Sequence, residues 1–114
     1  MSTLFEKIIA REIPSDVVFE DDQCIVINDI NPVAPIHVLI IPKKPIVKLA
    51  DAEVGDQALL GHLMLVAGEV ARQLGVAEGF RLIVNNGEGG GQTIFHLHLH
   101  LLAGRDFTEA QLAP

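Results

Sequence analysis

The most constraining feature of this sequence is a run in which apolar and polar side chains alternate strictly. Residues 93–102 read TIFHLHLHLL, so that His96, His98 and His100 alternate with leucines. Because successive side chains of a β-strand point to opposite faces, this pattern predicts a strand with the imidazoles on one face and the leucines in the core. Neighbouring histidine Cα atoms would lie about 6.6 Å apart and the outer pair about 13 Å apart. Histidines in register on one strand indicate a functional site.

The rest of the chain predicts an α+β domain. A short helix at 3–11 begins with the capping-box spacing of Thr3 and Glu6 and ends before Pro14. Alternating or β-branched runs predict five strands, and helical periodicity predicts one long helix; the strands are at 17–20, 24–28, 37–41, 80–85 and 93–102, and the helix is at 54–74. Strands that follow one another in sequence favour a five-stranded antiparallel sheet. With no internal boundary, residues 1–114 are expected to form a single domain.

The long predicted helix is apolar on two opposite faces. One stripe, of the kind that lies on a sheet, comprises Leu59, Leu63, Val66, Val70 and Leu74. The second stripe comprises Gly61, Met64, Leu65, Gly68 and Ala71. A helix of this kind should be covered on both faces, and its glycines allow close approach of another backbone, so we expect a homodimer with this helix at the interface. The alternative is that a loop of the same chain covers the second stripe.

Composition and charge narrow the classes of partner. The chain has 8 Lys and Arg against 15 Asp and Glu, a formal net charge of −7. Nucleic acid polymers and anionic membranes need clustered cations, so neither is expected as a partner, although a local pocket can hold a small phosphorylated ligand. The single cysteine, Cys24, excludes an intramolecular disulfide, and no apolar run is long enough for a membrane span or a signal peptide. We therefore expect a soluble cytoplasmic protein.

Two functions are possible for the histidines, zinc binding and nucleophilic attack on phosphorus. Zinc binds imidazole nitrogen, but the spread of about 13 Å favours a site made from His37 and only two of the three. Metal-bound imidazoles usually have a neighbouring carboxylate, and none lies beside the motif in sequence. The other chemistry is nucleophilic attack on phosphorus by the central histidine, with its neighbours donating to phosphoryl oxygens. The glycine-rich loop 86–92 favours the second because its N–H groups could hold an anion, although a flexible hairpin connection explains it equally well.

The histidine motif resembles the signature of the histidine-triad (HIT) superfamily, His-φ-His-φ-His-φ-φ with φ an apolar residue. Residues 96–102, HLHLHLL, match it at every position. The likeness extends to the Hint (histidine-triad nucleotide-binding) branch, and it is carried by FEKIIAREIPSDVVFEDDQC, NDINPVAPIHVLIIPKK, LLGHLMLVAGEVARQLG and GGGQTIFHLHLHLLAGR. The resemblance implies a HIT-like fold and a homodimer whose sheets join, each subunit binding a purine nucleoside monophosphate. It also implies hydrolysis of purine nucleoside phosphoramidates and aminoacyl adenylates, releasing AMP or GMP.

The resemblance further implies roles for individual residues. His98 would be the nucleophile that becomes nucleotidylated, His100 would bind the phosphate, and His96 and His37 would orient the nucleophile and relay protons. No metal or other cofactor is required by this scheme. The resemblance implies that Asp29 binds the ribose hydroxyls, with Ile30 beside it. The base would lie between Phe5, Ile8 and Ile27. The residues implied to contact ribose or phosphate are Asn85, Gly91, Gln92 and Thr93. From the residues alone, Asp29 is a turn residue and the sandwich is plain core.

Other readings stay open at this point. One is a zinc enzyme or zinc-binding module that uses His37 with two histidines of the motif, and another is a non-catalytic nucleotide sensor or interaction protein. His62 lies on the polar strip of the long helix and is assigned no role. The chain departs from the Hint pattern at Thr93, where serine is common, and in the segment 106–114, which lacks a tryptophan.

Overall fold

The computed structural model describes residues 2–112, which form two α-helices and a five-stranded sheet. The helices are α1 (Leu4–Ile9) and α2 (Gln57–Gln73). The strands are β1 (Val17–Glu20), β2 (Cys24–Asn28), β3 (Ile36–Pro42), β4 (Phe80–Ile83) and β5 (Leu99–Ala103). Every pairing is antiparallel, in the spatial order β1-β2-β3-β5-β4. The predicted α+β class with an antiparallel sheet is confirmed.

The two faces of the sheet are covered differently. Helix α2 covers one face, where Leu63 and Val70 pack with Val26, Val38 and Leu101, all of them fully buried. Burying one such side chain contributes about 1.5–3 kcal/mol. The opposite face carries a second cluster that includes α1, comprising Phe5, Ile8, Ile25, Ile27, Leu39 and Ile41. The cavity described below lies on this α1 side.

The histidine segment is only partly a strand. Strand β5 begins at Leu99 rather than at the predicted Thr93, so the first two histidines of the motif precede it. Continuing the ladder with β3 would bring Leu97 opposite Pro42, which has no N–H to donate. The Leu97 N–H instead donates to the Ile46 carbonyl at 2.7 Å. The prediction of a single strand along the whole motif is therefore wrong in its first half.

Other predicted boundaries shift at the ends of elements. Thr3 caps α1 rather than belonging to it. Residues Val54–Asp56 form a 3₁₀ turn before α2 rather than its first turn, and the glycine-rich loop contains another 3₁₀ turn at Glu88–Gly90. The fourth strand ends at Ile83, two residues before the predicted end at residue 85. None of these shifts changes the order of the elements.

The second apolar stripe of α2 is divided between core and surface. Met64 and Leu65 are 58% and 76% exposed, as expected for an outward face. Ala71 is fully buried with the α2 core cluster, so its assignment to the outward stripe is wrong. Ala67 and Ala71 are both buried in this cluster, so the buried face of α2 is wider than a single stripe. Within residues 2–112, no helix has both the length and the hydropathy needed to cross a membrane.

Candidate active site

A cavity of about 500 Å³ opens on the α1 side of the sheet. Its volume is in the range of small-molecule sites in proteins. It brings together most of the predicted site residues, namely His37, His98, His100, Asp29, Ile30, Phe5, Ile8, Ile27 and Thr93. These residues come from α1, β2, β3, β5 and the connecting segments, so the sheet is the scaffold that collects them.

Helix α1 supplies part of the apolar wall. The Thr3 hydroxyl accepts the Glu6 N–H and the Glu6 carboxylate accepts the Thr3 N–H, both at 3.1 Å. This reciprocal cap satisfies N–H groups that a six-residue helix would otherwise leave unpaired. The helix places Phe5 edge-on to the His98 ring, with the ring centroids 4.9 Å apart, and Ile8 also lines the cavity. Phe5 and Ile8 are therefore core residues and cavity residues at the same time.

His98, the central histidine, is held by its own backbone segment. Its Nδ1 lies 2.8 Å from the carbonyl oxygen of His96, so Nδ1 carries a hydrogen and donates it. In the neutral ring, Nε2 then carries the lone pair. Burial lowers the pKa of His98, and this outweighs the opposite effect of the hydrogen bond to His96. His98 is thus a neutral imidazole near pH 7, with a nucleophilic Nε2 at the cavity wall.

The tautomer of His100 follows from that of His37. The Val33 N–H donates to Nδ1 of His37 at 3.1 Å, so the neutral His37 ring carries its hydrogen on Nε2. That Nε2 lies 2.9 Å from Nδ1 of His100, which accepts, and His100 therefore carries its own hydrogen on Nε2. Burial lowers the pKa of His37, and burial with the nearby His98 and His37 lowers that of His100 to about 4.

The hydrogen bonds of His98 and of His100 place a lone pair on one ring beside an N–H donor on the other. The rings of His98 and His100 lie with their centroids 5.0 Å apart. His98 offers a lone pair and His100 offers an N–H donor, both uncharged near pH 7. A phosphoryl group beside this pair can be attacked by one ring while it accepts a hydrogen bond from the other.

Asp29 follows β2 and lies beside this group. Its Oδ1 accepts the Asn31 N–H at 2.8 Å, and its Oδ2 lies 3.4 Å from Nε2 of His37. The turn role expected from the residues alone and the position beside the cavity therefore coexist. No carboxylate lies beside the histidine motif in sequence. In the fold Asp29 is such a neighbour, because the pairing of β2 with β3 brings it to His37.

His96 does not line the cavity. Its ring is buried, and its Nε2 donates to the Pro42 carbonyl at 2.6 Å. Its Nδ1 is buried and has no hydrogen-bond partner among residues 2–112. His96 contributes to the site through its backbone carbonyl, which orients His98.

The glycine-rich loop contributes less to the cavity than expected. Asn85, Gly91 and Gln92 do not line it, whereas Thr93 does. The Gln92 side chain is buried, and its Oε1 accepts the Gly87 N–H at 2.8 Å. Its Nε2 donates to two main-chain carbonyls, those of Val47 and Ile94. Both ends of this amide brace the loop, and a contact of Gln92 with a ligand stays a prediction.

Several lining residues were missed from the sequence. Leu39 lies two residues after His37 on β3 and faces the same side, so strand alternation could have identified it. Asp16 and Asn28 also line the cavity, where the Asn28 amide donates to the Asp16 carboxylate at 2.8 Å. No motif marks these two residues, because their proximity depends on the pairing of β1 with β2.

The fold and the site together define a small α+β protein with a histidine-lined cleft on one face of its sheet. The HIT domain family model matches residues 10–107, and the chain belongs to this family. An uncharacterized HIT-like protein of Synechocystis is 58% identical over 106 residues, covering 93% of each chain.

Solved structures of the same family have the same fold. The crystal structure of a HIT family hydrolase from Legionella pneumophila is 46% identical, with a TM-score of 0.92 over 95% of this chain and 97% of that one. A histidine triad nucleotide-binding protein from Candida albicans is 34% identical, with a TM-score of 0.80 over 88% of this chain and 73% of that one. The predicted HIT-like fold is confirmed.

Proposed function

We propose that this protein hydrolyses purine nucleoside phosphoramidates and aminoacyl adenylates, releasing AMP or GMP through a nucleotidyl-histidine intermediate on His98. The observation that carries the proposal is the pair formed by the His98 Nε2 lone pair and the His100 N–H donor at the wall of one cavity. Membership in the HIT domain family and the likeness to a HIT family hydrolase support hydrolysis. The resemblance to the Hint branch supports the choice of nucleotide.

The cavity lining supports one orientation of the nucleotide. The purine would lie against the apolar wall that includes Phe5, and the phosphate would lie at His98 and His100. Between these ends, the Asp29 carboxylate would accept hydrogen bonds from the ribose hydroxyls, with Ile30 beside it. Thr93, which also lines the cavity, would donate its hydroxyl hydrogen to a phosphoryl oxygen.

The reaction would proceed by two displacements at phosphorus. In the first, Nε2 of His98 attacks, the P–N bond breaks, and its electron pair leaves with the amine, which takes up a proton. The His98 ring then carries a positive charge, which the hydrogen bond from Nδ1 to the His96 carbonyl stabilises. In the second, water attacks phosphorus, His98 leaves as a neutral ring, and the proton released by water balances the one taken up by the amine. With an aminoacyl adenylate, the P–O bond to the aminoacyl carboxylate breaks instead, the carboxylate leaves without taking up a proton, and the proton released by water goes to solvent.

The test is AMP release from an adenosine phosphoramidate by the wild type and by His98→Asn. We expect His98→Asn to reduce kcat by at least about 10³-fold, because removing a nucleophile abolishes the covalent route. Calorimetric titration with AMP shows whether the variant keeps its binding site. His62→Gln is the matched control, since His62 lies outside the cavity, and it should keep wild-type activity. Undiminished turnover by His98→Asn would refute the assignment, and AMP binding by a wild type without turnover would identify a nucleotide sensor instead.

A second candidate function is a zinc enzyme or zinc-binding module at the same cavity. Asp29, His37 and His100 each offer one ligand atom, and these three atoms lie within 4.8 Å of one another. The group therefore contains one histidine of the motif and a carboxylate, where the sequence led us to expect two histidines of the motif with His37. Chelator-treated protein separates the candidates. Full phosphoramidate hydrolysis by protein free of metal supports the imidazole mechanism, and activity that returns only with added Zn²⁺ supports a zinc enzyme.

We further propose a homodimer formed through α2 and the edge strand β4. The support is that Met64 and Leu65 expose apolar surface on α2, and that β4 pairs with β5 alone among the described strands. Sedimentation velocity should give a dimer for the wild type and a monomer for Leu65→Glu. Val54→Glu, at an apolar residue that is 88% exposed outside the stripe, is the matched control and should remain dimeric. A monomeric wild type would refute the dimer.

A further inference from the structure

A second group of metal-ligating side chains lies on the other face of the sheet. Asp21 is in the turn between β1 and β2, Cys24 begins β2, and His62 is on α2. One ligand atom from each lies within 4.8 Å of the others. Cys24 belongs to the core cluster packed against α2, whereas the active-site cavity is on the α1 side. The group is therefore separate from the proposed catalytic site.

The turn fixes one oxygen of the Asp21 carboxylate and directs the other towards His62. Its Oδ1 accepts the N–H groups of Gln23 and Cys24, each at 2.8 Å. Its Oδ2 is 2.6 Å from Nε2 of His62. The hydrogen bond between the Asp21 carboxylate and the His62 imidazole does not involve the Cys24 thiol. The Cys24 side chain is nevertheless fully buried with its sulfur in the same group.

We propose that Asp21, Cys24 and His62 form a binding site for a divalent cation of the zinc class, with water as the fourth ligand. Thiolate, imidazole and carboxylate together are the donors that Zn²⁺ takes, whereas Mg²⁺ and Ca²⁺ take oxygen ligands alone. Zinc-to-ligand distances of about 2.0–2.3 Å put tetrahedral donors about 3.3–3.6 Å apart. In the present structure, Oδ2 of Asp21 and Nε2 of His62 are 2.6 Å apart, so these two atoms have to separate when the ion enters.

Binding requires two changes of protonation. The Cys24 thiol loses its proton to solvent and becomes a thiolate ligand, while the His62 nitrogen that binds the ion must carry a lone pair, with the ring hydrogen on the other nitrogen. Without an ion, burial together with Asp21 and Asp22 raises the pKa of Cys24 to about 12, against the opposing field of Lys43. The ion supplies the positive charge that a buried thiolate needs, so binding should release a proton and tighten as pH rises.

Such an ion would connect two parts of the fold that are distant in sequence. It would tie the β1–β2 turn to the middle of α2 on the surface opposite the cavity. The expected role is therefore structural, and the site should affect stability more than the rate of phosphoramidate hydrolysis.

The test is titration of the reduced, chelator-treated full-length protein with Co²⁺, followed by displacement with Zn²⁺. Cys24 is the only cysteine in the chain, so a thiolate-to-cobalt charge-transfer band reports this site and no other. We expect the band to saturate at one Co²⁺ per chain and to be absent in Cys24→Ser. His62→Gln should bind Co²⁺ at least about tenfold more weakly, since loss of even an outer partner of a metal site costs that much.

The matched control removes the other candidate group of ligands. His37→Gln changes the cavity group of Asp29, His37 and His100 and should leave the cobalt band unchanged. Zn²⁺ should raise the Tm of the wild type and of His37→Gln but not of Cys24→Ser, with circular dichroism confirming that each variant is folded. Absence of the band in wild-type protein, or an equal affinity in His62→Gln, would overturn the proposal.

Discussion

Acidification should destabilise this protein before any carboxylate contact is lost, because its cavity histidines are held neutral. The unfolded imidazole binds a proton below a pKa of about 6.5, whereas burial lowers the pKa of His100 in the folded protein to about 4. Between these values the unfolded state binds more protons, so the free energy of unfolding falls as pH falls. The pKa values of His98 and His37 are lowered as well, and both add to the effect with the same sign.

The magnitude follows from the two pKa values of His100. From about pH 7.5 to about pH 5, the full shift would reduce the free energy of unfolding by about 2 kcal/mol. His100 is only partly buried, and screening by solvent lowers its contribution to about 1 kcal/mol. Lowered pKa values of carboxyl groups such as that of Asp21, at about 2, act at lower pH and do not contribute in this window.

The assay is urea unfolding at both pH values with the protomer concentration held constant, since a dimer would make stability depend on concentration. The wild type should lose about 1–3 kcal/mol on acidification, and His100→Asn should lose about 1 kcal/mol less than the wild type. Leu63→Ala is the matched control, because it weakens the core by about 2–5 kcal/mol without touching a histidine and should keep the wild-type pH dependence. Equal stability of the wild type at the two pH values would refute the reasoning.

Three further predictions concern the backbone, the helix cap and the nucleophile. Gly104→Ala should reduce the free energy of unfolding by about 2–4 kcal/mol. The reason is that φ is +92° at Gly104 and a Cβ there would lie 2.8 Å from Cβ of Pro35. Gly55→Ala, with open space around it, is the control and should leave the free energy of unfolding nearly unchanged in the same urea titration. Thr3→Ala should lower the free energy of unfolding by about 1 kcal/mol and raise KM more than it lowers kcat, since the cap positions a cavity wall rather than the reacting groups. The acid limb of kcat/KM for an adenosine phosphoramidate should lie below pH 6.5, because burial lowers the pKa of His98, and a limb at higher pH would contradict its proposed role as a neutral nucleophile.

Periodicity predicted the order and type of the elements because the alternation along the strands and the helical stripes have a clear physical cause. It could not predict where β5 begins, since that depends on Pro42 of a strand distant in sequence. It also assigned Ala71 to an outward face, because a stripe drawn at 100° per residue does not show how wide the buried face of α2 is.

The sequence predicted the part of the candidate site that depends on alternation along one strand, and it did not predict the contacts that depend on how strands pair. Side chains on one strand share a face whatever the pairing, which is why His100 could be assigned to a site from the sequence alone. The hydrogen bond from His37 to His100 depends on the register of β3 against β5, which puts Leu39 opposite His100 and His37 diagonal to it. The bracing role of Gln92 depends on Val47 in another loop and leaves no local pattern.

Burial keeps the cavity histidines neutral, as the proposed reaction requires, and it also makes the free energy of unfolding depend on pH. A histidine on the protein surface would be partly protonated near pH 6.5, and each protonated ring would lack the lone pair that attack on phosphorus needs. Burial keeps His98 and His100 neutral, and the fixed acceptors and donors around them, the His96 carbonyl and His37, then select one tautomer for each ring. The same burial lowers their pKa values and must therefore make the folded state sensitive to acid. The acid sensitivity of the fold and the neutral nucleophile are thus two consequences of one arrangement, so a variant that restores a surface-like pKa to His98 should become less acid-sensitive and also less active below pH 6.5.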